Sequence, residues 1–192
     1  MNRFFAVGVS YKTADIDLRG CFNLNDSQLH ALFLEAKSLD IKDLLVINTC
    51  NRTELYAWTN NSECLVELLC NHTSGDKVFF DQAGYRLSNE AGIHHLFRVG
   101  TGLESQILGD FEIIGQIKKG FYRSKKMGLA QGPMERLTNA VIQASKQIKT
   151  ETEISSGATS VAFASVQYIL KHVESISEKN ILPFGTGKIG TN

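Results

Sequence analysis

Residues 43–59 read DLLVINTCNRTELYAWT. Asp43 to Asn48 carry a continuous apolar run, read as a buried strand, and Thr53 to Thr59 form a second strand of alternating character. Between them sits Cys50, with Thr49 and Asn51 on its flanks and Arg52 two residues on. One reading is a small buried hydrophobe at a strand end. The other is a thiol held out for chemistry. The polar flanks favour the second, because a strand end surrounded by hydrogen-bonding side chains is open to water and to substrate.

The pattern outward from this stretch sets the fold class. RFFAVGVS (3–10) is rich in Val and Phe and predicts a strand. SYKTADIDLRG (10–20) reads as a loop leading into a short turn. Asn25 or Asp26 then caps a helix carrying Leu29, Leu32, Phe33 and Ala36 at i, i+3, i+4 and i+7. SECLVELLC (62–70) predicts another helix. The order β-α-β-β-α predicts an α+β domain, a small sheet with helices packed on it.

From about Ser88 the period is helical. Ile93, Leu96 and Phe97 form one face, and Phe111, Ile114, Ile117 and Phe121 another. Pro133 sits at a tolerated first-turn position of a helix whose stripe is Leu137, Ala140, Val141, Ala144 and Ile148. SSGATS (155–160) interrupts, and a further helix with Val161, Ala164 and Tyr168 reads as a long connector. The chain thus divides into a domain over 1–155, a connecting helix over 156–178 and a last segment over 179–192.

That last segment reads as a strand followed by Gly185-Thr186-Gly187-Lys188-Ile189-Gly190. This is the glycine pattern that cradles a pyrophosphate at the opening of a dinucleotide-binding fold. Pro183 is unusual in such a strand. Two residues follow the third glycine, whereas a complete βαβ unit needs about 30. The sequence is therefore read as a fragment of a longer protein.

Composition excludes several classes. Hydrophobic residues are 43% and charged residues 21%, as in ordinary globular domains. No apolar run approaches the roughly 20 residues of a membrane span, and no leader-like segment stands at the start. The four cysteines, Cys21, Cys50, Cys64 and Cys70, show neither a pairing pattern nor zinc-type spacing, so no metal site is predicted and a reducing cytoplasm is. The formal net charge is zero, but residues 113–150 hold eight Lys and Arg against the single acid Glu135. Such asymmetry predicts either a polyanionic partner or a solvated helix face.

Three stretches, NTCNRTE (48–54), HLFRVGTGLESQILGDFEIIGQIKKGF (95–121) and FGTGKIG (184–190), together resemble glutamyl-tRNA reductase. The likeness runs from GVSYKTADIDLR (8–19) onward. It implies a catalytic glutamyl-tRNA-binding domain over 1–155, a spinal helix over 156–178 and the start of an NADPH-binding Rossmann domain over 179–192. The implied activity is NADPH-dependent reduction of glutamyl-tRNA to glutamate-1-semialdehyde through a cysteine thioester, the first step of tetrapyrrole synthesis from glutamate. Cys50 would be the nucleophile and His95 would assist proton transfer. Thr49, Asn51, Arg52, Ser105, Asp110, Phe111, Glu112 and Gln116 would contact substrate, and Gly185, Thr186, Gly187, Lys188, Ile189 and Gly190 the cofactor NADPH. Glutamyl-tRNA is the implied partner, with a homodimer in the full-length protein.

Arg52 has two expected uses, lowering the thiol pKa of Cys50 or binding a carboxylate through its planar fork. Three stretches depart from the family pattern. Asp110-Phe111-Glu112 replaces Glu-Pro-Gln, Tyr11-Lys12-Thr13 replaces His-Lys-Thr, and Gly20 replaces a Glu. Two competing readings are a truncated tRNA- or partner-binding module without complete reductase activity, and a plain dinucleotide-binding protein with a structural Cys50.

Overall fold

The computed structural model describes residues 3–152, 154 and 161–180. Four antiparallel strands, β1 (Arg3–Ser10), β2 (Leu44–Asn48), β3 (Arg52–Thr59) and β4 (Tyr85–Ser88), form one sheet in the order β2-β3-β1-β4. Around it lie α1 (Ile16–Cys21), α2 (Asp26–Ser38), α3 (Glu63–Asn71), α4 (Lys77–Ala83), α5 (Glu90–Gly100), α6 (Glu112–Lys126) and α7 (Gly132–Glu151). An exposed helix, α8 (Val161–His172), precedes a single turn of 3-10 helix at Ile176–Glu178. The expected α+β architecture is present. The glycine motif at 185–190 and the strand before it lie outside the described residues.

The sheet is covered on both faces. Val7, Val9, Leu44, Val46, Leu55 and Ala57 point into a core filled by α2, α3 and α4. Phe4, Ala6, Leu45, Ile47 and Tyr56 point the other way, into a core filled by α5, α6 and α7. Period-two alternation assigns these two sets to opposite faces. It also explains why β3, alternating in sequence, is buried at every residue but Trp58. An alternating pattern predicts one wet face only when a single helical layer is present. Here Thr53, Leu55 and Ala57 serve one layer, while Glu54 and Tyr56 serve the other.

Other expectations shift in detail. The predicted turn before Phe22 is a helix, α1, because the Asp15 side chain accepts the Leu18 N–H and caps it. Asn25 caps α2 in a reciprocal capping box with Gln28. The buried row of α7 is Met134, Thr138, Val141 and Ser145, one residue off the predicted stripe, so Ala140 faces solvent. Small polar residues fill that row where α7 lies close to its neighbours. At Gly100 of α5, an added Cβ would collide with Val141.

One glycine sets how closely α6 lies on the edge strand β2. A Cβ at Gly120 would meet the Val46 carbonyl oxygen far inside van der Waals contact. Gly115, on the same helix, faces open space. Gly120→Ala is therefore expected to lose about 1–3 kcal/mol by overpacking. Gly115→Ala is expected to gain about 0.5–1 kcal/mol from helix propensity. Urea unfolding of the two variants checks the opposite signs.

Candidate active site

Cys50 sits at the tip of the turn joining β2 to β3, and its side chain is exposed. The turn is closed by a Thr49 N–H bond to the Arg52 carbonyl at 2.8 Å. The Thr49 hydroxyl oxygen accepts the N–H groups of Asn51 and Arg52, each at 3.1 Å. Two neighbours hold it from outside. The Arg19 Nε of α1 donates to the Cys50 carbonyl at 2.9 Å, and the Tyr11 N–H donates to the Asn51 carbonyl at 2.9 Å. Five bonds thus fix the backbone around the thiol and leave the sulfur itself in solvent. Such a turn presents a nucleophile without paying ordering entropy at the moment of reaction.

Below the turn lies a buried charge cluster. The Glu54 carboxylate accepts from Arg52 Nη1 at 2.9 Å, from the Tyr56 hydroxyl at 2.7 Å, from His95 Nε2 at 2.9 Å and from the Tyr85 hydroxyl. Burial by itself raises a carboxyl pKa. Here the Arg52 charge, then the hydrogen bond and charge of His95 and the bond from Tyr85, outweigh it and lower Glu54 from 4.5 to about 2. Burial, followed by the Glu54 charge, pushes the Tyr56 and Tyr85 hydroxyls well above their ordinary value, so both remain donors. Since the ionised carboxylate only accepts, His95 Nε2 carries the proton toward it.

Strand register builds this cluster. Gly8 of β1 lies opposite Glu54 on one side and Tyr85 on the other. Any Cβ there would press on the Glu54 side chain, 2.8 Å from its Cγ. The missing side chain lets Tyr85 reach across β1 to Glu54. His95, on α5, stacks on Tyr56 and meets Tyr85 edge-on, with ring centroids at 6.3 and 5.2 Å.

A second tether anchors the loop between α5 and α6. The Glu104 carboxylate pairs with Arg98 at 2.6 Å and with Lys12, and its backbone carbonyl accepts from Arg52 Nη2. The Ser105 carbonyl accepts from the Tyr11 hydroxyl at 3.0 Å. Tyr11, which departs from the family pattern, and Lys12, which keeps it, both hold this loop.

The expected site residues separate into three groups. Thr49, Cys50, Asn51 and Arg52 share the turn. Ser105 and Asp110 lie in the tethered loop, where Asp110 accepts the Glu112 N–H at 2.9 Å and caps α6. Phe111, Glu112 and Gln116 line an open recess of about 450 Å³ with Ile114, Gly115 and Lys119. The Lys149 ammonium lies over the Phe111 ring. His95 turns its Nε2 to Glu54, while His94 beside it is exposed. Arg52 is buried, with both terminal nitrogens bonded inside the protein. Sequence reading missed Glu54, Tyr56, Tyr85 and Glu104. The available signal was Arg52 and Glu54 at i, i+2 inside an apolar strand, an opposite-charge pair on one face. Among the described residues, no cluster of His, Cys, Asp and Glu is arranged to hold a metal ion.

Comparison with known proteins places this arrangement. The family described as "Glutamyl-tRNAGlu reductase, N-terminal domain" matches residues 7–152. Glutamyl-tRNA reductase of Christiangramia forsetii is 57% identical over 189 residues, covering 98% of this chain and 45% of the relative. That of Flavobacterium psychrophilum is 55% identical over 191 residues, covering 100% of this chain and 46% of the relative. The solved structure of glutamyl-tRNA reductase from Methanopyrus kandleri superposes with a TM-score of 0.72 at 26% identity, over 89% of this chain and 40% of that one. The chain thus spans less than half the length of these relatives.

The lowered pKa of Glu54 has a definite consequence for stability. A depressed folded pKa stabilises above the unfolded value of about 4.5, and the stabilisation is lost as pH falls toward 2. Glu54→Gln is expected to cost about 3–5 kcal/mol at neutral pH, because it strands the buried Arg52 charge. Urea midpoints of parent and variant should differ most above pH 5 and converge as the pH drops below 4. A gap independent of pH would contradict the assignment.

Proposed function

The chain belongs to the glutamyl-tRNA reductase family, and from that premise we propose that it forms the acyl-transfer part of an NADPH-dependent reductase of glutamyl-tRNA. The product is glutamate-1-semialdehyde, and the step opens tetrapyrrole synthesis from glutamate. The observation that carries the reading is the exposed Cys50 on a backbone pinned from several sides.

The Cys50 thiolate attacks the ester carbonyl carbon of glutamyl-tRNA. A C–S bond forms, the C–O bond to the terminal ribose breaks, and the ribose hydroxyl leaves with a proton. His95 is the residue proposed to move that proton. Glu54 fixes its tautomer, and Tyr56 and Tyr85 fix its plane. Thr49 shapes the turn, and Asn51 offers an amide at its rim. Arg52 acts from below by holding Glu54 and the Glu104 carbonyl. Ser105, Asp110, Phe111, Glu112 and Gln116 are proposed to enclose the amino-acid side of the substrate. Here Glu112, a carboxylate where the family has Gln, suits the α-ammonium group.

NADPH supplies the hydride that would release the thioester as aldehyde. The residues proposed to hold it, 185–190, lie outside the described part. A tRNA substrate and four free thiols suit a cytoplasmic protein, and among the described residues no helix is long and apolar enough to cross a membrane. The homodimer implied for the full-length protein belongs to the same proposal.

Acid-quenched intact-mass analysis after mixing with glutamyl-tRNA tests the reading. A glutamyl adduct is expected on the parent and none on Cys50→Ser. Bound tRNA with no adduct, and with no faster loss of the ester, would favour a binding module instead.

A further inference from the structure

The outward stripe of α6 is Glu112, Gln116, Lys119, Tyr122, Arg123 and Lys126, a single helical face about 21 Å long. Its first residues line the recess at Phe111. Its last ones border a trough between α2 and α6. One part of the trough, about 180 Å³, is walled by Asn48, Gln116, Lys119 and Arg123. The next, about 260 Å³, is walled by His30, Arg123 and Lys126 over Leu29, Phe33 and Met127. Leu29, Phe33 and Arg123 line both parts, so the two adjoin along the seam between α2 and α6. Asn48, which lines the first part, lies on the strand that leads into the Cys50 turn, two residues before Cys50.

The charge along it is mainly positive. Lys119, Arg123 and Lys126 follow one another at one-turn intervals. The one acid lining either part is Asp26, which is paired with Arg123 at 2.8 Å. Tyr122 is exposed between these cations, with the Lys126 ammonium 4.9 Å from its ring centroid. A row of cations interleaved with an exposed aromatic, beside a narrow apolar-floored trough, is suited to a flexible anionic strand. The phosphates follow the cations and a base stacks on the ring. A duplex would span several such rows rather than enter one trough.

We infer that the trough between α2 and α6 receives the single-stranded acceptor end of the tRNA and leads it to Cys50. This rests on the glutamyl-tRNA reading above. Lys119 and Arg123 meet its phosphates, Lys126 and Tyr122 hold the nucleotide farther out, and Asp26 competes with the RNA for Arg123.

Acylation of Cys50 by two donors, glutamyl-tRNA and a small glutamyl thioester without RNA, tests the path in the full chain. Arg123→Gln/Lys126→Gln is expected to slow acylation by glutamyl-tRNA about tenfold at low salt. It should also flatten the log–log salt dependence of tRNA binding by about 0.7 per lost contact. Acylation by the thioester should stay within twofold of the parent, which also shows that the variant is folded. Asp26→Asn, which frees Arg123, is expected to tighten tRNA binding severalfold. Unchanged tRNA acylation in the double variant, or equal slowing with both donors, would overturn the path while leaving the acyl-transfer reading intact. A parent acylated by neither donor would overturn both.

Discussion

The buried Arg52–Glu54 ion pair is the constraint on which the site depends. Both side chains are almost wholly removed from water. A charge so placed is tolerated only when its hydrogen-bonding capacity is met. Glu54 meets that requirement by drawing in Tyr56 from its own strand, Tyr85 from β4 and His95 from α5. Arg52 meets it by taking the Glu104 carbonyl from the loop before α6. One pair therefore ties the far strand β4, a helix and a loop to the residue that ends the Cys50 turn. The glycine at position 8 is the steric condition for this convergence, since the row Glu54–Gly8–Tyr85 closes only over an absent side chain.

The division of labour across the molecule follows from that cluster. The core of α2, α3 and α4 is almost purely apolar and carries stability. The opposite layer mixes apolar packing with the charge cluster. The loop between α5 and α6 is anchored at Glu104 and Ser105, so the capped start of α6 is set against the same turn. From that fixed point α6 runs outward and carries its cations away from the thiol. On the proposed reading, chemistry sits at one end of the helix and electrostatic attraction at the other, an arrangement suited to a substrate whose reacting ester is small and whose body is a large polyanion.

Much of this was legible in the sequence. The two strands around Cys50, the α2 stripe Leu29, Leu32, Phe33 and Ala36, and the helical period after Ser88 all follow from local pattern. The hub at Glu54 was not legible, because its partners Tyr85 and His95 are 31 and 41 residues away and only the register joins them. The short strand β4 lay hidden as well. Tyr85–Ser88 has a single long apolar residue, Leu87, and is stabilised as a strand by pairing with β1. Thr138 and Ser145 in the buried row of α7 defeated the apolar stripe, since close helix packing selects for size rather than hydrophobicity there. Arg52 showed the same limit at the site. Its position beside the nucleophile suggested a substrate contact, and only the fold shows its guanidinium turned inward.

Native-state hydrogen exchange at the Asn51 and Arg52 amides, in the parent and in Tyr85→Phe, tests most directly whether the buried cluster holds the cysteine turn. Both amides bond to the Thr49 hydroxyl, and neither touches Tyr85. The variant removes one donor from Glu54 and keeps the ion pair. If the cluster sets the turn, protection at these two amides falls further than at Ala6 and Val7 in the sheet centre. If turn protection is unchanged, or falls only in step with the sheet, the turn stands by its own bonds and the account of the site is wrong.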